Sequence, residues 1–142
     1  MLVTVLDSNE YIFSFGLFKK PSCETLLTIL PEYNAIVSIR IAKTILNEVR
    51  ANLTPEEFKE FVLFINNFCP SVDEDYEIPF ELGSKYEAMG LKPADAFIAA
   101  YAEYVGADML ISENRHFLSR HSNLPFKICN AEHCLKLIKT AR

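Results

Sequence analysis

The sequence lacks an excess of positive charge: 14 Lys and Arg stand against 19 Asp and Glu, for a net charge of −5. A broad basic surface for duplex DNA is therefore not expected, because such surfaces gather Lys and Arg against phosphates. A short single strand remains a possible substrate, since a carboxylate-rich metal site itself lowers the net charge. No apolar run approaches the roughly 20 residues that span a bilayer, and the apolar start is too short, and without a basic leader, to read as a secretory signal. A soluble cytoplasmic protein with no membrane attachment is expected. The four cysteines, Cys23, Cys69, Cys129 and Cys134, show no CxxC pair. Reduced, mostly buried thiols are expected of them, although His133 beside Cys129 and Cys134 leaves a metal clip open there. Also missing are repeats, low-complexity segments, an interdomain linker, a GxGxxG or Walker loop, a GxSxG elbow and an HExxH helix. These absences leave a single domain over 1–142 and remove the commonest nucleotide-binding, serine-hydrolase and zinc-protease readings.

What is present is apolar and regularly punctuated. Half of the residues are hydrophobic and 11 are phenylalanine, so an ordered core is expected. Val3–Leu6 reads as a buried strand, followed by a helix over Glu10–Phe18. "CETLLTILPE" predicts a short helix that stops before Pro31, "NAIVSIRI" a strand, and "AKTILNEVRANL" a helix. In "TPEEFKEFVLFINNF", Thr54 as cap, Pro55 next and Glu57 form a capping-box signature, with Phe58, Phe61, Val62 and Ile65 on one stripe. "SVDEDYEIP" reads as a connection with room for a short strand. "FELGSKYEAMG" is a brief helix closed by a left-handed Gly90. "KPADAFIAAYAEYVG" is a deeply buried helix, "DMLIS" a strand, "ENRHFLSR" a turn and short helix, "FKIC" a strand, and "AEHCLKLIK" a last helix. Near-continuously apolar strands alternating with helices predict a parallel sheet covered on both faces, a three-layer α/β/α sandwich.

The first strand ends in Asp7 rather than in Gly or Pro. In open α/β sheets, ligands sit outside the carboxyl ends of the strands, where strand order reverses, and Asp7 falls on that rim. Asp95 opens the most buried helix, Asp108 precedes the next strand, Ser112–Asn114 leave it, and Glu48 lies between Leu46 and Val49 in a helix. Each has an ordinary explanation: a helix-dipole partner for Asp95, solvent for Glu48, loop amides for Asp7, a turn for Asp108. Together they are harder to dismiss. Several acids in or beside apolar elements, with few bases among them, repel one another at a cost of several kcal/mol each when desolvated. A divalent cation relieves that repulsion. Carboxylate and water oxygens suit Mg²⁺ or Mn²⁺, and such an ion activates water and screens phosphate, which is hydrolytic phosphodiester chemistry. A phosphate-accepting signalling domain fits less well, because "FKIC" places Lys127 inside a strand rather than after it.

"VLDSN", "ILNEVRANL" and "KPADAFIAAYAEYVGADMLISENRHFL" resemble, in order and spacing, the motifs of the PIN-domain family, over essentially the whole chain. The resemblance implies a PIN-like α/β/α fold and a metal-dependent ribonuclease, often the toxin of a toxin–antitoxin pair. It implies an RNA substrate, a small antitoxin partner and a homodimer, for which the Phe58–Phe68 helix offers a face. By position, Asp7, Glu48 and Asp95 match the family's catalytic, Mg²⁺- or Mn²⁺-binding acids. The fourth acid of the family pattern, in a T-x-D triplet, corresponds here to Asn114 of Ser112–Glu113–Asn114, a neutral and weaker ligand. Asp108 or Glu113 is expected to compensate. Ser8, Asn9 and Ser112 are expected to orient the metal-binding Asp by hydrogen bonds. Phe117 is expected in the core with His116 on local backbone, while Arg40, Lys43, Arg50 and Arg115 offer cations to a substrate backbone or face solvent. The departure at Asn114 and the acidic charge keep a second reading open, a catalytically weakened PIN-fold module that binds RNA or protein.

Overall fold

Leu2–Leu6 form the first strand, β1, and the chain alternates from there as the apolar pattern demands. The computed structural model describes residues 1–69, 71–118 and 123–140. In chain order the elements are β1, α1 (Ser8–Phe15), α2 (Pro21–Ile29), a 3₁₀ turn over Leu30–Tyr33, β2 (Val37–Ala42), α3 (Lys43–Ala51) and α4 (Pro55–Phe68). There follow β3 (Val72–Asp73), a second 3₁₀ turn over Asp75–Glu77, α5 (Phe80–Ala88), α6 (Pro93–Tyr104), β4 (Met109–Ile111), α7 (Arg115–Leu118), β5 (Lys127–Cys129) and α8 (Ala131–Thr140). Part of the expected "ENRHFLSR" helix, at 119–120, lies outside the described residues.

The sheet is parallel throughout, in the order β3-β2-β1-β4-β5. Val5 and Leu6, and likewise Leu110 and Ile111, are neighbours in sequence and both fully buried. Successive strand residues point to opposite faces, so the sheet is covered on both sides. This is the expected three-layer α/β/α sandwich. The chain builds outward from β1 through β2 to β3, then returns to the other side of β1 with β4, which puts the switch point between β1 and β4.

One difference in element boundaries has a local cause. Helix α1 stops at Phe15, short of Phe18: the Gly16 N–H makes the last helical bond, to the Ile12 carbonyl, and Gly16 then turns extended and leads the chain away. A Cβ on Gly16 would stand 2.6 Å from that carbonyl oxygen, so glycine is required there. Leu17 and Phe18 are consequently left 80% and 83% exposed. Helix α2 ends at Ile29, before Pro31 as expected, and Pro31 then enters the 3₁₀ turn near its start, where its missing N–H costs nothing. The capping box forms as expected: Thr54 N donates to Glu57 Oε1 at 2.8 Å and Glu57 N to Thr54 Oγ1 at 3.2 Å. Gly90 adopts φ 98°, the left-handed value.

Helix α4 presses Phe61 edge-on against Tyr11 of α1, centroids 5.1 Å apart, while α6 buries Ala96 and Ile98–Ala102 in the core. The short edge strand β3 is fastened from the side. Arg40 makes a two-pronged ion pair with Asp73 at 2.9 and 3.1 Å, and the Tyr101 hydroxyl also donates to Asp73. Partial burial opposes ionisation of Asp73, but these donors hold its carboxyl below the usual range. Next to it, Asp75 accepts from the Thr44 N–H and hydroxyl at the start of α3.

Candidate metal centre at the carboxyl rim of the sheet

Asp7 closes β1 and caps α1 in a single residue. Its backbone N–H continues the β1–β4 ladder to the Ile111 carbonyl at 2.9 Å. Its side chain then accepts from Ser8 N at 2.8 Å, with the Ser8 hydroxyl at 3.4 Å, on one oxygen. The other oxygen accepts from the Ser112 hydroxyl at 2.8 Å. Ser112, fully buried, follows β4, so the two residues meet across the switch point. Asp7 itself is only 7% exposed. Burial raises its pKa above the ordinary aspartate value; the Ser112 and Ser8 hydrogen bonds pull it down, and the charges of Glu48 and Asp95 push it up again.

Those last influences place three acids from three elements, β1–α1, α3 and α6, around one rim. Glu48 is exposed on α3 and Asp95 half-buried in the first turn of α6. Among the described residues no salt bridge joins any of the three to a base. Their oxygens do not gather within 4.8 Å of one another. With Glu48 exposed and Asp95 half-exposed, the rim suits a hard cation that keeps much of its water and touches only a few carboxylates. The Asp7 oxygen that accepts from Ser112 retains a lone pair beyond that hydrogen bond. A cavity of about 260 Å³ lies nearby, lined by Ile78, Phe80, Pro93, Ala96 and Phe97, but none of the three acids lines it.

Asn114 stands beside Asp95 in a definite orientation. Its oxygen accepts the His116 N–H at 2.9 Å, which leaves its NH₂ facing Asp95 at 3.3 and 3.4 Å. It therefore donates to the acid group and does not offer that group an oxygen. Its own N–H bonds to Ser112 Oγ at 3.0 Å, which ties the loop to the hydroxyl that holds Asp7.

Three expectations need correction. Asp108 is at the opposite end of the sheet: its carboxylate accepts from Val3 N at 2.7 Å and its backbone N–H donates to the Val3 carbonyl, at the amino-terminal side of β4. A parallel strand separates that edge from Asp7, so Asp108 does not share a metal with it. Glu113 turns away from the rim, its oxygens taken by Lys20 Nζ at 2.7 Å and Ala131 N at 2.9 Å. Among the described residues, no hydrogen bond joins the Asn9 side chain to Asp7; Ser8 and Ser112 orient it.

The expected cations are largely engaged elsewhere. Arg40 is tied to Asp73, Lys43 lies 3.8 Å from Glu74, and Arg50 covers the Phe58 ring at 5.4 Å. Phe117 is in the core. Cys129 and Cys134 are buried free thiols that hydrogen-bond to each other, while His133 is exposed and does not gather with them.

Glu10 is not among the residues singled out from the sequence. It is fully buried in α1, and its two oxygens receive no donor. It meets Cys23 of α2 and Glu113 of the segment after β4, their ligand atoms all within 4.8 Å of one another. Burial, followed by Glu113, raises the Glu10 pKa to about 10. An ionised Glu10 would face only the Cys23 thiol, a weak donor that lowers its pKa in part, whereas a protonated one is itself the donor to Glu113. Burial works against Glu113 in turn, but the bonds from Glu10, Lys20 and Ala131 N hold it below the usual glutamate value.

No family model matches the chain, and no curated protein matches it closely. Several solved structures are similar in fold, two of which follow. One, of VapBC2 from Rickettsia felis bound to a DNA fragment from its promoter, contains a chain that superposes with a TM-score of 0.64 at 16% identity, covering 91% of this chain and 98% of that one. The other, of FitAcB from Neisseria gonorrhoeae, superposes with a TM-score of 0.62 at 15% identity, covering 92% and 99%. Nearly whole chains match in each case. Together with the parallel five-stranded sheet, the likeness establishes that this chain has the PIN-domain fold.

Proposed function

We propose that this chain is a divalent-metal-dependent endoribonuclease of the PIN type, hydrolysing phosphodiester bonds of single-stranded or looped RNA. The observation that carries the reading is the meeting of Asp7, Glu48 and Asp95 at the β1–β4 switch point, mutually repulsive and without a base. The donor set, all oxygen and open to water, fits Mg²⁺ or Mn²⁺. Once bound, such an ion supplies an activated water and neutralises charge on the scissile phosphate. The protein's own part is positioning. Ser112 and Ser8 hold the Asp7 carboxylate in one orientation, the buried helix α6 fixes Asp95, and α3 presents Glu48 from solvent. Asn114 donates to Asp95 and so occupies the site of the fourth acid with a neutral group.

Within this reading the protein is the toxin of a toxin–antitoxin pair, acting in the cytoplasm. An exposed apolar groove, with Leu17 and Phe18 at its edge and Ile12, Phe13 and Leu53 lining it, offers a face for the antitoxin. Less remains for a homodimer on α4, where Leu63 alone among the large apolar side chains is exposed. The likeness to chains from the VapBC2 and FitAcB assemblies supports a protein partner. No helix among the described residues is long and apolar enough to cross a membrane.

The test is cleavage of a pool of single-stranded and hairpin RNAs with Mg²⁺ or Mn²⁺. Cleavage that disappears in the Asp7→Asn, Glu48→Gln, Asp95→Asn triple variant supports the reading; equal cleavage by that variant ends it. One observation favours the second reading, a binding module with weakened catalysis: the Asn114 oxygen is already committed to the His116 N–H. That reading expects RNA binding without metal-dependent cleavage by the wild type.

A further inference from the structure

Away from the rim, Glu10, Cys23 and Glu113 bring two carboxylates and a thiol together from α1, α2 and the segment after β4, with every ligand atom within 4.8 Å of the others. Ligands around a tetrahedral Zn²⁺ sit about 3.3–3.8 Å apart, given Zn–O near 2.0 Å and Zn–S near 2.3 Å, so small side-chain movements would close the set. Glu10 and Cys23 are both fully buried. Neither Glu10 oxygen meets a nitrogen or oxygen donor, and one of them is among the three converging ligand atoms. A buried carboxyl without a donor is a costly arrangement that a cation would relieve. We infer that Glu10, Cys23 and Glu113 form a second metal site, for a borderline cation such as Zn²⁺, that clips α1 and α2 to the loop following β4.

The donor chemistry separates this site from the rim. Hard Mg²⁺ and Mn²⁺ prefer oxygen and water, whereas a thiolate selects Zn²⁺ and its analogues Co²⁺ and Cd²⁺. Charge also balances. Three anionic ligands, one divalent cation and the Lys20 ammonium sum to zero. Lys20 already lies 2.7 Å from Glu113, and its half-exposed side chain can move aside as an ion enters. Ala131 N fixes the other Glu113 oxygen and leaves it a lone pair.

Without metal the same group is neutral by a different route. Burial, Glu113 and, weakly, Asp7 keep Glu10 protonated, while burial, Glu10 and Glu113 push the Cys23 thiol up despite Lys20. A metal ion therefore displaces protons, and affinity rises with pH. The site does not depend on nuclease activity. Through Glu113 it borders Ser112 and Asn114, so an ion there would stiffen the loop that supports Asp7.

The test is titration of Co²⁺ into the full chain, following sulfur-to-cobalt charge-transfer absorption. The expected result is one equivalent of thiolate-bound Co²⁺ in wild type and in the Asp7→Asn, Asp95→Asn variant, and loss of the absorption in Cys23→Ser. Absence of the band in wild type overturns the inference, since Glu10 and Glu113 would then be a proton-sharing pair closed by Lys20. A band that persists in Cys23→Ser also overturns it, since Cys129 or Cys134 would be the ligand. Should Cys23→Ser fail to fold, Glu10→Gln replaces it: at least a tenfold weaker Co²⁺ affinity is expected, and unchanged affinity contradicts the site.

Discussion

Two groups of acids lie on either side of the segment that follows β4, and they differ in access. At the rim, Asp7 is buried but receives hydrogen bonds from Ser8 and Ser112, while Glu48 and Asp95 face water. In the interior, Glu10 is sealed and receives no donor, and a thiol stands beside it. Ser112 and Glu113, neighbours in sequence, point one to each group. The contrast shows that clustered carboxylates do not by themselves specify a chemistry. Access to water and the hardness of the donors decide whether the group favours a hydrated Mg²⁺, a dehydrated Zn²⁺ or a proton.

The largest expected effect falls on the rim. Replacing Asp7 and Asp95 by Asn should lower RNA cleavage by at least about a hundredfold, since even outer-shell partners of a metal are worth 10- to 100-fold; a single-turnover assay measures it. Ser112→Ala should weaken Mn²⁺ binding by roughly tenfold or more, and cost about 1 kcal/mol or more of stability through the lost bond to a buried carboxylate. If Ser112→Ala changed stability alone, the hydroxyl would be structural and the two groups would be less distinct.

The interior group answers to pH. A Glu10 pKa raised to about 10 in the fold, above its unfolded value, means that the folded chain holds a proton the unfolded chain releases. Stability from this residue is complete below the unfolded glutamate pKa and declines as pH rises toward the folded one. In metal-free protein, Glu10→Gln should therefore raise stability at pH 8 by roughly 1–3 kcal/mol and flatten the slope between pH 5 and pH 9, read by denaturant unfolding. A slope unchanged in Glu10→Gln would mean that Glu10 ionises freely and that the interior resembles the rim.

Asn114→Asp gives a smaller effect of interest. It restores a carboxylate beside Asp95 and should tighten Mn²⁺ binding several-fold, because charge count raises affinity, while pushing the metal-free Asp7 pKa further up by added repulsion. Calorimetry and carboxyl NMR would read the two parts. The smallest effect, remote from both groups, is Thr54→Ala, expected to cost about 1 kcal/mol of stability through the capping box with metal binding unchanged.

Most of the fold was legible because its signals are local and strong: β1 is a continuous apolar run, α4 carries a full capping box, and α6 lies between a Pro and a Gly. Asp7 stood out for a similar reason, as a charge where a strand ends. Asp108 fails the same rule that marks Asp7: it precedes β4, and the amino end of a parallel strand faces away from the rim. Glu10 could not be found, because a single Glu in an amphipathic helix looks the same whether it faces solvent or a partner 103 residues away in sequence, as Glu113 is from Glu10. Asn114 was legible as a substitution but not as an orientation; only the His116 N–H decides which end of the amide meets Asp95.

The most direct measurement is calorimetric titration of Mn²⁺ into wild type and into the Asp7→Asn, Asp95→Asn variant. Binding by wild type with loss in the variant is the expected result, since Mn²⁺ favours the oxygen-rich rim over the thiol-bearing interior. Equal binding by both proteins, or by neither at millimolar metal, would contradict a metal centre at the rim and leave the PIN fold serving as a binding module.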